Sequence, residues 1–536
     1  MVTYVSLPGS KRNLLPNSRP FDPVDKSAIA SLTVRLRSSG DLAALEKKVY
    51  EQSKRPLDQR TYLSREDFAK QYGSNLADMD LIEQLAQSHD LMVVHRSMAE
   101  RSIVLRGSLG DLLAAFPADI QMYHHSTGTY RGRTGEIRMP ENLQGIVVGV
   151  FGYDTRRKHR SPNRRKIMAG PGGQNGVPAT DFAKRYNFPT QFQGVTLDGS
   201  GQTIAIIELG GGYRNSDLKV YFQEIQVPLP QVVSIPVDRA GNDPTTADSA
   251  DGEVMLDIEV AGAVAPNAQF AIYFGPNNGD QGFIDAISAA VHDAQLNPSV
   301  ISISWGGPED TTDQQGIDNF HNLFVEAAAM GITICTAAGD HGTADMDAFH
   351  WDGKIHVDHP GVDNLVLSCG GTQIDSNGND IVWNDGTPFD QNTPTGGGWA
   401  TGGGISVIFQ VADYQANFNL PVSIDTGKPG RGVPDIAMSA TNYFARVDRM
   451  EGASGGTSAV APLMAALVAL LNQAKGKRVG FLNTFLYANA ANGVVHEVTV
   501  GTNAIQNTVQ GYSAGPGWNA CTGLGTPDGN AILNRL

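Results

Sequence analysis

Five short apolar runs set the fold class of the latter part of this chain: Thr203–Leu209, Phe270–Phe274, Val300–Ser304, Ile332–Ala338 and Asn364–Ser368. They are continuous rather than alternating, and stretches with helical patterning separate them. A strand that is apolar on both faces needs cover on both, and strand–helix alternation provides it as a parallel sheet between helices. The expectation is an α/β domain whose mostly parallel sheet is flanked by helices. Ligands in such sheets sit beyond the carboxyl ends of the strands, so chemistry is expected just after the runs, at Glu208, Trp305 and Asp340. With 41% hydrophobic and 18% charged residues among 536, the chain can fill such a core, which excludes wholesale disorder.

A smaller unit precedes this domain. Residues 29–37 alternate like a strand, and 41–52 read as a helix opened by Asp41 with Leu42, Leu45 and Val49 on one face. Helical patterns recur at 65–73, 77–89 and 108–116, and strands are expected at Leu91–Val94, Ile103–Leu105 and Ile146–Val150. This is a small α+β unit with a ferredoxin-like arrangement. The basic stretch 156–166 and the glycine-rich stretch 169–177 then break the pattern. They read as a solvated linker, and as a protease-accessible processing site.

Charge divides along the same boundary. Residues 1–170 hold 26 Lys+Arg against 18 Asp+Glu, leaving 14 against 37 in the rest of a chain that totals 40 against 55. The basic part can find its partner in the acidic part of the same chain, so no nucleic acid is expected. No apolar run reaches the ~18 residues of a membrane span, so no membrane partner is expected either. Met1–Ser10 lacks the apolar core of a secretory signal. Three scattered cysteines make neither a disulfide framework nor a zinc knuckle.

Three constellations carry chemistry. Ser454-Gly-Gly-Thr-Ser458-Ala-Val-Ala-Pro462 leads into an apolar helix, and a serine opening a helix sits in the positive end of its dipole. Thr457 or Ser458 can merely cap such a helix, but the Gly-Thr-Ser-x-x-x-Pro string matches the nucleophile motif of subtilisin-like peptidases. In Asp251-Gly-Glu253-Val-Met-Leu-Asp257, Glu253 and Asp257 share a helix face that continues through Val260, Ala261 and Val264. Two inward carboxylates would share a proton, whereas a solvated helix start would leave both ionised. Asp340 ends an apolar run in Ala-Ala-Gly-Asp340-His341-Gly-Thr343. An aspartate there donates to an oxyanion only while protonated, and His341 offers the alternative base of an ordinary subtilisin.

Taken together the motifs resemble the sedolisin family, the serine-carboxyl peptidases, most closely its kumamolisin branch. The resemblance takes in Ile204-Ala-Ile-Ile-Glu208, the acidic string, Ser302-Ile-Ser304-Trp305-Gly306-Gly-Pro308 and Ala337-Ala-Gly-Asp340. It continues through Cys369-Gly-Gly-Thr372, Gly430-Arg-Gly-Val-Pro-Asp435, the serine motif, Ala514-Gly-Pro-Gly-Trp518 and Cys521-Thr-Gly-Leu-Gly525. It implies a subtilisin-like fold in residues 178–536, an inhibitory propeptide in 1–155 removed at acid pH, and a processing site in 156–177. It implies Ser458 as nucleophile, Glu253 as base, Asp257 behind it, Asp340 in the oxyanion hole, and Glu208 with Trp305 as a supporting hydrogen-bonded extension. Ser304 and Gly306 fall on the segment that pairs with an extended substrate, and Asp358 falls near the first specificity pocket.

The resemblance also implies a calcium ion near the C-terminus, held by Glu497, Val498, Gly515, Gly517 and Asn519. Asparagine replaces a carboxylate there, so one formal charge is lost and weaker affinity is expected. The expected activity is that of an acid-acting, self-processing serine endopeptidase with protein or peptide substrates and its own propeptide as partners. It is expected to be a monomer without an organic cofactor and, by resemblance, extracellular. The rival readings are a catalytically inactive binding protein on a subtilisin fold and a His341-dependent subtilisin.

Overall fold

The computed structural model describes all residues except 1–2, 16, 126–127, 158, 160–175, 248 and 394. At its centre lie β1 (Thr203–Glu208), β2 (Gln231–Pro236), β3 (Gln269–Phe274), β4 (Val300–Ile303), β5 (Thr333–Ala337), β6 (Leu367–Ile374), β7 (Asp380–Val382) and β8 (Ile436–Ser439). They form one sheet in the order β2–β3–β1–β4–β5–β6–β7, with β8 also paired to β6. All pairings are parallel except β6 with β7. The register sets Ile207 of β1 opposite Tyr273 of β3 and Ile303 of β4, so the carboxyl ends of the central strands finish together.

Alternation along β1 shows how the continuous apolar runs are used. Ile204 and Ile206 face a core shared with the helices Asp251–Val264 and Thr457–Lys475. Ala205 and Ile207 face a second core built with the helices Asp280–His292 and Gln314–Ala329. Both faces are covered, as continuous apolar strands require. Contrary to the sequence expectation, the helix Thr457–Lys475 is by length and composition apolar enough to cross a membrane, but 89% of its most apolar stretch is buried inside the protein.

Three sequence expectations are corrected here. The run expected at Asn364–Ser368 is a strand only from Leu367, and it continues to Ile374 through small residues that admit β8. β2, β7 and β8 carried too weak a pattern to be expected, being half-buried or only three to four residues long. The helix Asp251–Val264 is buried all round from Asp251 to Ala263, so neither one inward face nor a solvated acidic start describes it.

The N-terminal unit has a four-stranded antiparallel sheet in the order Met92–Ser97, Ser102–Ser108, Ile29–Leu36, Val147–Phe151. Helices Leu42–Ser53, Arg65–Tyr72, Leu76–Ser88 and Leu109–Ala115 complete a β-α-β-β-α-β path. Asp41 caps the first helix through Ala44 N–H. A polar hairpin, Asp119–His125 with Gly128–Thr134, was not expected, since half-exposed strands lack an apolar run.

This unit packs on the helical face of the larger domain through apolar residues, including Leu45, Val49, Phe68 and Phe151. It also contributes buried charges: Arg12 to Asp280 at 3.1 Å and Arg133 to Asp313 at 2.7 Å. Arg101 and His292 both bond Glu326. Burial alone would raise Glu326, but Arg101 and His292 hold it down to about 2. The solvated-linker reading fails at its start. Arg156 is buried on Asp154, and His159 is buried against Asp280 and Phe283. Residues 158 and 160–175 of the expected processing segment lie outside the described residues, and Val177 at its end pairs with Asn442 and Phe444.

Candidate active site

The carboxyl ends of β1 and β4 bring the first pair together. Glu208 closes β1, and Trp305 follows two residues after β4; the indole Nε1–H donates to Glu208 Oε2 at 2.9 Å. Burial pushes the Glu208 carboxyl well above its ordinary range, and Glu253 pushes it further; the indole opposes both.

Glu253 and Asp257 lie one turn apart on the helix Asp251–Val264, at 1% and 0% exposure. Asp257 is raised well above its ordinary value by burial first, then by Glu253 and Glu208, and it bonds Glu253. Three carboxyl groups in one dry space cannot all be ionised, so they share protons as a set.

Ser304, between β4 and Trp305, reaches this set with its side chain. Its Oγ lies 3.0 and 2.9 Å from the two Asp257 oxygens and 3.3 Å from the Ser458 carbonyl oxygen. The sequence reading assigned Ser304 to backbone pairing with substrate and missed this hydroxyl. A Ser at the end of a strand beside an acidic helix was the signal available.

Ser458 is the second residue of the helix Thr457–Lys475, entered through Gly456 at φ 119°. Only a residue without a Cβ takes that backbone readily. The capping reading fails, because no side chain of the helix caps its start. Asp340 arrives from β5 and does so in its place. Its Oδ1 accepts from Thr457 N–H at 2.7 Å and from Thr457 Oγ1 at 2.8 Å. Thr457 Oγ1 also accepts from Gly339 N–H at 3.1 Å, and Gly339 O, at 3.1 Å, competes with Asp340 for its one proton. Its part in fixing Asp340 was not anticipated from sequence.

Beside Asp340 a cleft of about 1220 Å³ opens, lined by Gly306, Gly339, His341, Asp345, Asp358 and Trp399 among others. Asp358 is raised well above its ordinary value by burial, then by Asp345 and Asp340. A Cβ on Gly306 would come within 2.2 Å of Asp358 Oδ1, so glycine there leaves room for the Asp358 carboxyl at the cleft wall. The His341 ring packs on Trp399 with centroids 4.5 Å apart, and its Nδ1 faces Gly398 O at 3.3 Å. The N-terminal unit walls the other side of the cleft with Lys11–Leu15, His125, Arg156 and Arg157.

The five residues expected to hold calcium do not present a cation site. Asn519 Oδ1 accepts from Cys521 N–H at 3.1 Å, Thr522 N–H at 3.0 Å and Thr522 Oγ1 at 3.1 Å. Those donors fix the amide's orientation. Its Nδ2 then donates to Val498 O at 3.1 Å, placing an N–H against the carbonyl that a cation would need. Glu497 is exposed, and among the described residues no group of three or more His, Cys, Asp or Glu is placed to hold a metal. These residues do not fit the ion.

Known proteins share this organisation. A family model described as Pro-kumamolisin, activation domain, matches residues 16–156, and the Subtilase family model matches 240–513. The chain is 43% identical to kumamolisin of a Bacillus species over 99% of its own length and 96% of that protein. It is 27% identical to tripeptidyl-peptidase sed5 of Aspergillus fumigatus over 99% and 97%. Among solved structures, Pseudomonas sedolisin complexed with pseudo-iodotyrostatin is 26% identical, covering 68% of this chain and 98% of that one, with a TM-score of 0.56. With an activation unit docked on a subtilisin-like sheet and identity to kumamolisin along its whole length, this chain belongs to the kumamolisin–sedolisin family of serine-carboxyl peptidases.

Proposed function

We propose that the chain is an acid-acting endopeptidase made as a self-processing zymogen. Residues 1–155 are its inhibitory propeptide, 156–177 carry the processing site, and 178–536 are the peptidase. The observation that carries the reading is a convergence on Ser458. The carboxyl set reaches it through Ser304 Oγ, and Asp340 reaches its neighbour Thr457.

In this mechanism Ser458 Oγ attacks the scissile carbonyl carbon and its proton passes to Glu253. Asp257, protonated by its surroundings, donates to Glu253 and orients it. The oxyanion is met by the Ser458 N–H, which a helix start leaves without an intrahelical partner, and by a proton on Asp340 Oδ2. Thr457 occupies Asp340 Oδ1, so the proton belongs on the other oxygen. Removing one oxyanion donor typically costs about 10²–10³ in rate. Glu253 then protonates the departing amine, and the C–N bond breaks. Water then attacks the acyl carbon, giving its proton to Glu253, which returns a proton to Ser458 Oγ as the C–Oγ bond breaks and the acid leaves. Gly306 and Ser304 pair by backbone with an extended substrate, and Asp358 lines the first specificity pocket.

Peptide hydrolysis after acid incubation, measured between about pH 2 and 8 with fluorophosphonate labelling of Ser458, tests the reading. Acid-confined hydrolysis with a labelled Ser458 is expected. An unlabelled, inactive protein at every pH would leave a binding protein on the same fold.

A further inference from the structure

We infer that Ser304 is a positioning residue whose hydroxyl couples the Asp257 carboxyl to the backbone of the nucleophile. The inference rests on the carboxylate mechanism above and adds a residue that mechanism does not need in order to be written. Ser304 is fully buried. Its Oγ stands within 3.0 Å of both Asp257 oxygens and 3.3 Å from Ser458 O. A hydroxyl has one proton to give, so those three acceptors cannot all be served at once.

Which acceptor takes it depends on where the shared proton lies. When Asp257 is ionised, the strongest acceptor is its carboxylate, because hydrogen bonds to charged groups are the stronger ones. When Asp257 holds a proton directed at Glu253, the Ser304 O–H can turn to Ser458 O and tether the first turn of the nucleophile's helix. The hydroxyl thereby follows the protonation of the pair. The groups facing Asp257 are Glu253 on its own helix, Glu208 from β1 and Ser304 from the end of β4. Ser304 is the one among these three that stabilises the ionised form.

Two consequences separate this role from a purely structural one. Without the hydroxyl, the ionised pair loses its neutral donor and binds protons more tightly. Both limbs of the pH profile of kcat/KM should then move to higher pH, by about one unit for the loss of a hydrogen bond to a charged group. The tether to Ser458 acts on the reacting geometry rather than on substrate affinity, so kcat should fall about tenfold while KM stays within about twofold.

The experiment uses full-length Ser304→Ala and Ser304→Thr, matured at acid pH and normalised by fluorophosphonate titration, so that poor folding or slow maturation does not enter the rate. Ser304→Thr keeps the hydroxyl and should keep the wild-type limbs. Limbs of Ser304→Ala that coincide with wild type would overturn the inference. So would a raised KM with unchanged kcat, which would leave Ser304 to backbone pairing with substrate alone. Glu253→Ala is measured alongside. If it retains the wild-type rate, the carboxylate mechanism itself falls; if it is inactive while Ser304→Ala behaves as wild type, only the role of Ser304 falls.

Discussion

Trp305 Nε1 donates to Glu208 Oε2 at 2.9 Å across two adjacent parallel strands. The bond leaves the indole ring packed against the helical face of the sheet while its N–H serves a carboxyl that has no exposure to solvent. Removing it with Trp305→Phe leaves a buried acceptor without its donor, which costs about 1–3 kcal/mol. The mature variant should lose stability of that order in denaturant melts and about tenfold in kcat. A variant that matches wild type in both would separate Glu208 from the working site.

The carboxyl set predicts acid-confined activity. Glu253 as base needs Asp257 to hold the shared proton, and Asp340 must hold one to donate. Burial and like charges raise Asp257, so the pair holds a single proton to higher pH than an isolated carboxylate would and loses it as pH rises further; activity falls with it. Glu253→Ala should cost several orders of magnitude, and His341→Ala should stay within about tenfold of wild type. Steady-state rates across the pH range decide this. Maximal activity near neutrality, or the reverse ranking of the two variants, would favour His341 as the base.

Maturation should depend on the same serine. Ser458→Ala is expected to remain full length after acid incubation in purified form, as read by gel mobility and N-terminal sequencing. A shortened product from that variant alone would show that another agent does the cutting.

Release of the N-terminal unit should depend on its buried ion pairs. Arg101 and His292 depress Glu326 to about 2 against an ordinary value near 4.5. The part of that depression owed to Arg101, which comes from the N-terminal unit, stabilises docking above the ordinary value and fades as pH falls from there through about 2. Glu326→Gln leaves Arg101 buried without a charged partner, a loss of about 3–5 kcal/mol. It should mature at a higher pH than wild type. An unchanged pH dependence of conversion would place the acid trigger elsewhere.

Chelator should not lower the melting temperature measurably. The Asn519 amide already bonds Val498 O and three donors of its own turn, so the loop is closed without an ion. Asn519→Asp should introduce a melting temperature that rises with calcium concentration. Stoichiometric calcium in the purified wild-type protein, measured by elemental analysis, would contradict the amide's orientation.

Much of this protein was legible in one dimension. The continuous apolar runs fixed a covered parallel sheet, because a strand's two faces are written in consecutive residues. The order of strings from Glu208 through Ser458 was enough to suggest the family. What sequence could not determine are partnerships between residues far apart in the chain. Arg12 meets Asp280 across 268 residues, and Ser304 reaches Ser458 across 154. No local pattern encodes which acceptor a buried hydroxyl or guanidinium will find. Asn519 is the clearest case: its composition spoke only of a missing charge, whereas the fold decided which way its amide points. A hydrogen bond depends on distance and direction within about 3 Å, and only the packed tertiary structure sets those.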